Sequence, residues 1–68
     1  MKIKTIFFED DRSIENGSYQ DNTKRVLDIV EHRAQGEGDK WYWEVTYSNG
    51  EVSRFFNVDS VLYENTED

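Results

Sequence analysis

Between Lys40 and Phe56 the chain reads "KWYWEVTYSNGEVSRFF", with apolar and polar side chains alternating on both sides of Asn49-Gly50. Alternation places each set on one face of a strand. Asn-Gly between such runs predicts a hairpin, because both central residues of a type I′ turn need positive φ. A two-residue turn sets Tyr47 opposite Val52, Trp43 opposite Phe56 and Trp41 opposite Val58, and with Val45 these form one apolar face. The other face carries Tyr42, Glu44, Thr46, Ser48, Glu51, Ser53, Phe55 and Asn57. Two residues break the pattern. Arg54 falls on the apolar face, where a guanidinium is costly to bury, and Phe55 falls on the polar one. A bulge near residues 54–56 would exchange their faces; without it, Tyr42 and Phe55 form a small exposed aromatic patch.

A second Asn-Gly stands at residues 16–17. A tight hairpin there opposes Ile14 to Tyr19, Phe7 to Val26, Ile6 to Leu27 and Ile3 to Val30. It also sets Arg12 against Asp21 and Glu9 against Lys24, two cross-strand charge pairs. The polar stretch over residues 9–22 is long enough to be loop instead of ladder. Residues 22–35, "NTKRVLDIVEHRAQ", fit two readings. Val26, Leu27, Val30 and Ala34 recur at helical spacing, with Gly36 as a cap. Lys24 and Arg25, however, would meet the positive end of the helix dipole, and Val26, Ile29 and Val30 are β-branched. The balance favours strand. After the hairpin, Asp59-Ser60 predicts a short turn and Val61, Leu62 and Tyr63 a last strand.

The expected fold is therefore all-β: a small antiparallel meander of four to five strands curling into a partly open barrel. An α+β arrangement, β-α-β-β with a helix over residues 22–35, is the alternative. Residues 1–65 make one domain, and residues 66–68 a frayed acidic tail. In strand pattern, residues 24–64 resemble an SH3-like or Tudor-like barrel, with no diagnostic motif.

Composition sharpens this picture. At 68 residues without cysteine, the chain buries only about 60% of its unfolded surface and has no disulfide to help. Aromatic residues, 15% of the chain, are the substitute, since each buried ring removes roughly 150–250 Å² from water. No apolar run approaches a membrane span. "MKIKTIFFEDDR" has too short an apolar run for a secretory signal, so Asn16-Gly17-Ser18 reads as a turn, not a glycosylation site. A cytoplasmic location is expected. The net charge is −7, of which residues 1–40 carry −2 and residues 41–68 carry −5. That sign repels nucleic acid and membrane surfaces and attracts basic partners.

Catalytic chemistry is hard to place. His32 is the only imidazole, and beside Glu31 and Arg33 it reads as solvent-facing. Glu9-Asp10-Asp11 lacks the spaced ligands of a calcium loop, and "GEGD" at residues 36–39 lacks the GK[ST] of a phosphate loop. We expect no enzyme, no cofactor and no bound metal.

Binding remains. A rigid sheet presenting Glu9, Asp10, Asp11, Glu44, Glu51, Asp59 and Glu64, with Tyr42 and Phe55 as aromatic anchors, suits a basic surface on a nucleic-acid-handling protein. In size and charge such a chain is similar to phage-encoded anti-defence proteins, anti-CRISPR and anti-restriction inhibitors among them. That resemblance implies a charge-mimicking inhibitor. Two other readings stand beside it: a module that grips a peptide with exposed aromatics drawn from Trp41, Tyr42, Trp43, Tyr47 and Phe55, and a homodimer joined through a strand edge.

Overall fold

A computed structural model describes residues 2–64, so the expected tail at 66–68 lies outside the described residues. The fold is all-β, SH3-like in outline, and the helical alternative for residues 22–35 is not realised. Among the described residues seven short strands form it: β1 (Lys2–Phe8), β2 (Ser13–Glu15), β3 (Tyr19–Asp21), β4 (Lys24–His32), β5 (Tyr42–Tyr47), β6 (Val52–Phe55) and β7 (Val58–Glu64). They make two antiparallel sheets, ordered β2-β1-β7 and β3-β4-β5-β6. Ile3, Ile6, Phe8, Ile14, Val26, Ile29, Val45 and Tyr47 are buried between them, with Trp43, Phe55, Val58 and Val61 packed alongside. Among the described residues, no helix is long and apolar enough to cross a membrane.

The Asn49-Gly50 hairpin forms, but with a longer loop than expected. Tyr47 N–H donates to Glu51 O at 2.9 Å and Gly50 N–H to Tyr47 O at 3.0 Å. Gly50 has φ +90°, while Asn49 is not in the positive-φ region. This is a three-residue loop, a type I turn closed by a left-handed residue. The extra loop residue moves the register by one. Trp43 now faces Phe55, Val45 faces Ser53 and Thr46 faces Val52. Phe55 turns to the core and Arg54 to solvent. The exchange expected from a bulge at residues 54–56 is made at the loop instead. Trp41, Val52 and Phe56, expected in the core, are exposed.

The first strand departs further from expectation. The chain turns back at Glu9–Asp11 with the same loop: Phe8 N–H donates to Arg12 O at 2.8 Å and Asp11 N–H to Phe8 O at 3.2 Å. Asp11 is its left-handed residue, at φ +73°. β1 thus pairs with β2 (Ile6 opposite Ile14) and with β7 (Ile6 opposite Val61), not with β4. The expected pairs Arg12–Asp21 and Glu9–Lys24 do not form; Arg12 meets Asp10 and Lys24 meets Glu51.

Asn16-Gly17 makes a corner, not a hairpin. Asn16 N–H reaches Lys4 O in one sheet (2.7 Å) and Gly17 N–H reaches Val26 O in the other (3.0 Å). Gly17, at φ +92°, takes the third position of the turn from Glu15 to Ser18, as a type II turn requires. In β4 a register shift between Val26 and Asp28 leaves both Val26 and Ile29 facing inward. Leu27 and Val30, two of the residues at helical spacing, are exposed instead. At the end of the chain Asp59 and Ser60 lie within β7, and the link before it is Phe56-Asn57.

The Tyr63 hydroxyl of β7 ties the sheets together by donating to Glu31 Oε1 of β4 at 3.0 Å. That bond to a carboxylate raises the phenol's pKa from its usual 10.0.

Three measurements follow from these contacts. Gly50→Ala puts a Cβ in the left-handed region and should cost about 1 kcal/mol or more in urea denaturation. Asp11→Gly relieves the same restriction and should be neutral or stabilising by up to about 1 kcal/mol. Tyr63→Phe should cost about 0.5–1 kcal/mol, a value kept small because the bond is exposed. The Tyr63 contribution is full below the unfolded phenol pKa and is lost as pH rises through the higher folded value. The wild-type and Tyr63→Phe stabilities should therefore converge in strong alkali.

Candidate functional site

The β1–β2 loop is built to display carboxylates. Asp10 Oδ1 accepts Arg12 N–H at 3.2 Å and Oδ2 accepts Arg12 Nε–H at 2.8 Å. The backbone bond is the chief reason the Asp10 carboxyl sits below its usual 3.8. Glu9 N–H donates to Asn57 O at 3.4 Å, which lays the loop against the link into β7. Asp59, two residues on, is the residue left over in a β7 bulge between the partners of Phe7 and Phe8. Glu9, Asp10, Asp11 and Asp59, all exposed, thus share one edge. Arg12 pairs with Asp10, and its guanidinium lies 5.3 Å from the Phe8 ring centroid.

The other three expected acids are elsewhere and accompanied by cations. Glu44 Oε1 is 3.2 Å from His32 Nε2, and its Oε2 is 3.5 Å from Arg54 Nε. Glu51 meets Lys24 Nζ at 3.3 Å, and that ammonium sits 4.5 Å over the Tyr47 ring. Glu64 stands opposite Lys2 in the β1–β7 ladder. So four of the seven acids stand at the β1–β2 loop and the adjoining start of β7, with Asp10 paired to Arg12, and three stand elsewhere, Glu44 and Glu51 paired with cations and Glu64 opposite Lys2.

The two aromatic anchors separate as well. Phe55 packs edge-on against Phe8 in the core, with ring centroids 5.1 Å apart. Tyr42 lies on the outer face of β5 and stacks on His32 at 4.5 Å with the rings nearly parallel. His32 is therefore not merely solvent-facing: it is half-buried in a stack and bonded to Glu44. Phe56, 57% exposed, takes the place beside Tyr42 that Phe55 was expected to fill, at 5.5 Å. Arg54 covers Tyr42 at 5.6 Å. These residues border an open groove whose rim includes Arg33 and Lys40 of the β4–β5 link.

Sequence reasoning passed over Arg54 and Phe56 as surface groups. The signal was there: the misfit of Arg54 and Phe55 in a two-residue loop already favours the register that exposes Arg54 and Phe56. Among the described residues, no three His, Asp or Glu side chains converge as they would to hold a metal ion.

Truncations of neighbouring rings test this register. Phe55→Ala should cost about 3 kcal/mol, at the low end for a packed ring, which is most of what a domain this small holds. Phe56→Ala should stay within about 0.5 kcal/mol of wild type, as exposed positions do. Thermal melts of the two variants read the difference, and the type I′ register requires the reverse order.

Comparison with protein-family models, with curated proteins and with solved structures finds no match to this chain.

Proposed function

We propose that this protein is a small non-catalytic binding protein that docks a basic surface of a nucleic-acid-handling partner. The observation that carries the reading is the edge formed by Glu9, Asp10, Asp11 and Asp59, where four carboxylates gather with Arg12 and are held by paired backbone instead of a floppy tail. A net charge of −7 adds long-range attraction to an arginine- or lysine-rich groove. Carboxylates fixed on such an edge imitate a short run of phosphates, and binding of this kind excludes nucleic acid from the partner. The corresponding biological role is that of an inhibitor, of the anti-defence type carried by phages and mobile elements, acting in the cytoplasm.

A second reading is favoured by one observation: Phe56 stands exposed beside Tyr42 and Arg54 at a groove. Aromatic and arginine side chains are the usual anchors of protein interfaces. A peptide read by this outer face would make the protein an SH3-like ligand module.

Charge reversal separates the two. Basic partners retained from lysate by the wild-type chain should be lost with Asp10→Lys/Asp11→Lys/Asp59→Lys, and wild-type retention should fall steeply as salt is raised. Competition with DNA for the same partner should disappear in the triple variant. Glu44→Lys/Glu51→Lys should have a weaker effect, because those two carboxylates stand on β5 and at the β5–β6 loop, apart from the β1–β2 loop. Loss of binding in Tyr42→Ala/Phe56→Ala, with the acidic edge dispensable, would replace the first reading by the second.

A further inference from the structure

β4 is the longest strand of the four-stranded sheet, yet β3 covers only its beginning. β3 pairs with Lys24 and Arg25, and the corner at residues 17–18 bonds both main-chain groups of Val26. Beyond Val26, no other strand among the described residues pairs with β4 on that side. An open strand edge is a template for another strand.

The direction of each main-chain group along this edge can be followed. Arg25 O accepts Ser48 N–H on the β5 side at 2.8 Å, and Val26 bonds towards the corner on the opposite side. After the bulge, Asp28 and Val30 stand opposite Thr46 and Glu44 of β5. Ile29 N–H donates to the Asp28 carboxylate at 3.0 Å instead of to β5. By alternation, Ile29 and Glu31 turn their main-chain groups to the open side. A groove runs beside this edge, bordered by Ile3, Leu27, Val30 and Tyr63. Leu27 (49%) and Val30 (42%) are left exposed on its wall.

We propose that the occupant of this edge is β4 of a second copy of the chain, antiparallel, related by a two-fold axis at Val30. The proposal is independent of the docking reading, since it uses none of the residues of the acidic edge.

The sequence of the edge is self-complementary about that axis. Ile29 of each copy faces Glu31 of the other, so the two residues with open main-chain groups exchange hydrogen bonds. Asp28 faces His32 of the second copy, a carboxylate opposite an imidazole whose Nε2 is already engaged by Glu44. The Asp28 carboxylate leaves its own Ile29 amide, which then bonds to the partner strand. Val30 faces Val30 across the axis, so a half-exposed aliphatic side chain is covered by its own copy. A two-fold contact demands this reciprocity, each residue's partner being met in return. Shifting the register by one would oppose edge-facing residues to residues bonded to β5 and lose the ladder. The bulge at Leu27–Asp28 stops the pairing at its other end.

The absence of cysteine makes the test direct. In a non-hydrogen-bonded antiparallel pair the Cα atoms lie about 4.5 Å apart, within disulfide range. Under mild oxidation full-length Val30→Cys should convert mostly to a disulfide dimer, whereas Val52→Cys, more exposed on β6, should not. By sedimentation equilibrium the wild-type chain should be dimeric. Val30→Lys, which brings two ammonium groups together on the axis, should weaken the dimer about tenfold or more, with an unchanged circular dichroism spectrum and, at concentrations where both chains are monomeric, an unchanged melt. A wild-type chain that stays monomeric to millimolar concentration overturns the proposal. So does Val30→Cys that cross-links no faster than Val52→Cys, or Val30→Lys that dimerises as well as wild type.

Discussion

One left-handed residue in each of two hairpin loops governs this fold. Gly50 and Asp11 both adopt positive φ as the third residue of a three-residue loop, and each loop is closed by the same pair of backbone hydrogen bonds. Side chains alternate with a period of two, so a single extra loop residue decides which set of a strand faces inward. The β5–β6 loop sends Phe55 to the core and leaves Arg54, Phe56 and Val52 outside. The β1–β2 loop lets β1 be flanked on both edges, by β2 and β7, and so makes it the centre of its own sheet. The two sites differ in chemistry: glycine meets the left-handed region without strain, whereas aspartate accepts it at some cost.

The surface follows from those registers. Once Phe55 is drawn against Phe8, the outer face of β5 and β6 is left with Tyr42, Glu44, Arg54 and Phe56, and His32 of β4 joins them. That face is a mixed layer in which the carboxylate is matched by two partners. The loop that ends β1 carries a denser set of acids, and the hydrogen bond from Glu9 to Asn57 draws the start of β7 alongside it. Net charge alone does not distinguish these surfaces. Seven acids that look equivalent along the chain divide into four near the β1–β2 loop, where Arg12 pairs with Asp10, and three dispersed elsewhere beside Lys24, Lys2, or His32 and Arg54.

The small core also explains why the sheet edges matter. Among the described residues eight side chains are buried hydrophobics, and without disulfides much of the fold's cohesion must come from main-chain ladders. A ladder left half-open among the described residues, as along β4 past Val26, holds unused bonding capacity next to exposed Leu27 and Val30. Asp28 blunts it locally by bonding the Ile29 amide. The Tyr63–Glu31 bond joins the two sheets beside the same groove.

The all-β class, the hairpin at Asn49-Gly50, the inward-facing Trp43, Val45 and Tyr47, and the acidic character were legible in the chain itself. They rest on alternation, β-branching and charge, which are local properties. The register of that hairpin was not, because Asn-Gly is compatible with loops of two or three residues, and the choice falls to burial: one register buries a guanidinium and the other a phenyl ring. The pairing of β1 with β7 was equally hidden. Arg12–Asp21 and Glu9–Lys24 are plausible as sequence pairs, but Glu9–Arg12 can close its own loop and β7 can supply Val61 opposite Ile6. The helical spacing of Val26, Leu27, Val30 and Ala34 does not mark a buried face: Leu27 and Val30 are exposed, and the bulge in β4 places Val26 and Ile29 together on the inner side instead. The chain by itself determined which residues seek burial and which turns it can make. Only the tertiary structure decided which loop length, which neighbour and which face, because those depend on contacts between segments far apart in sequence.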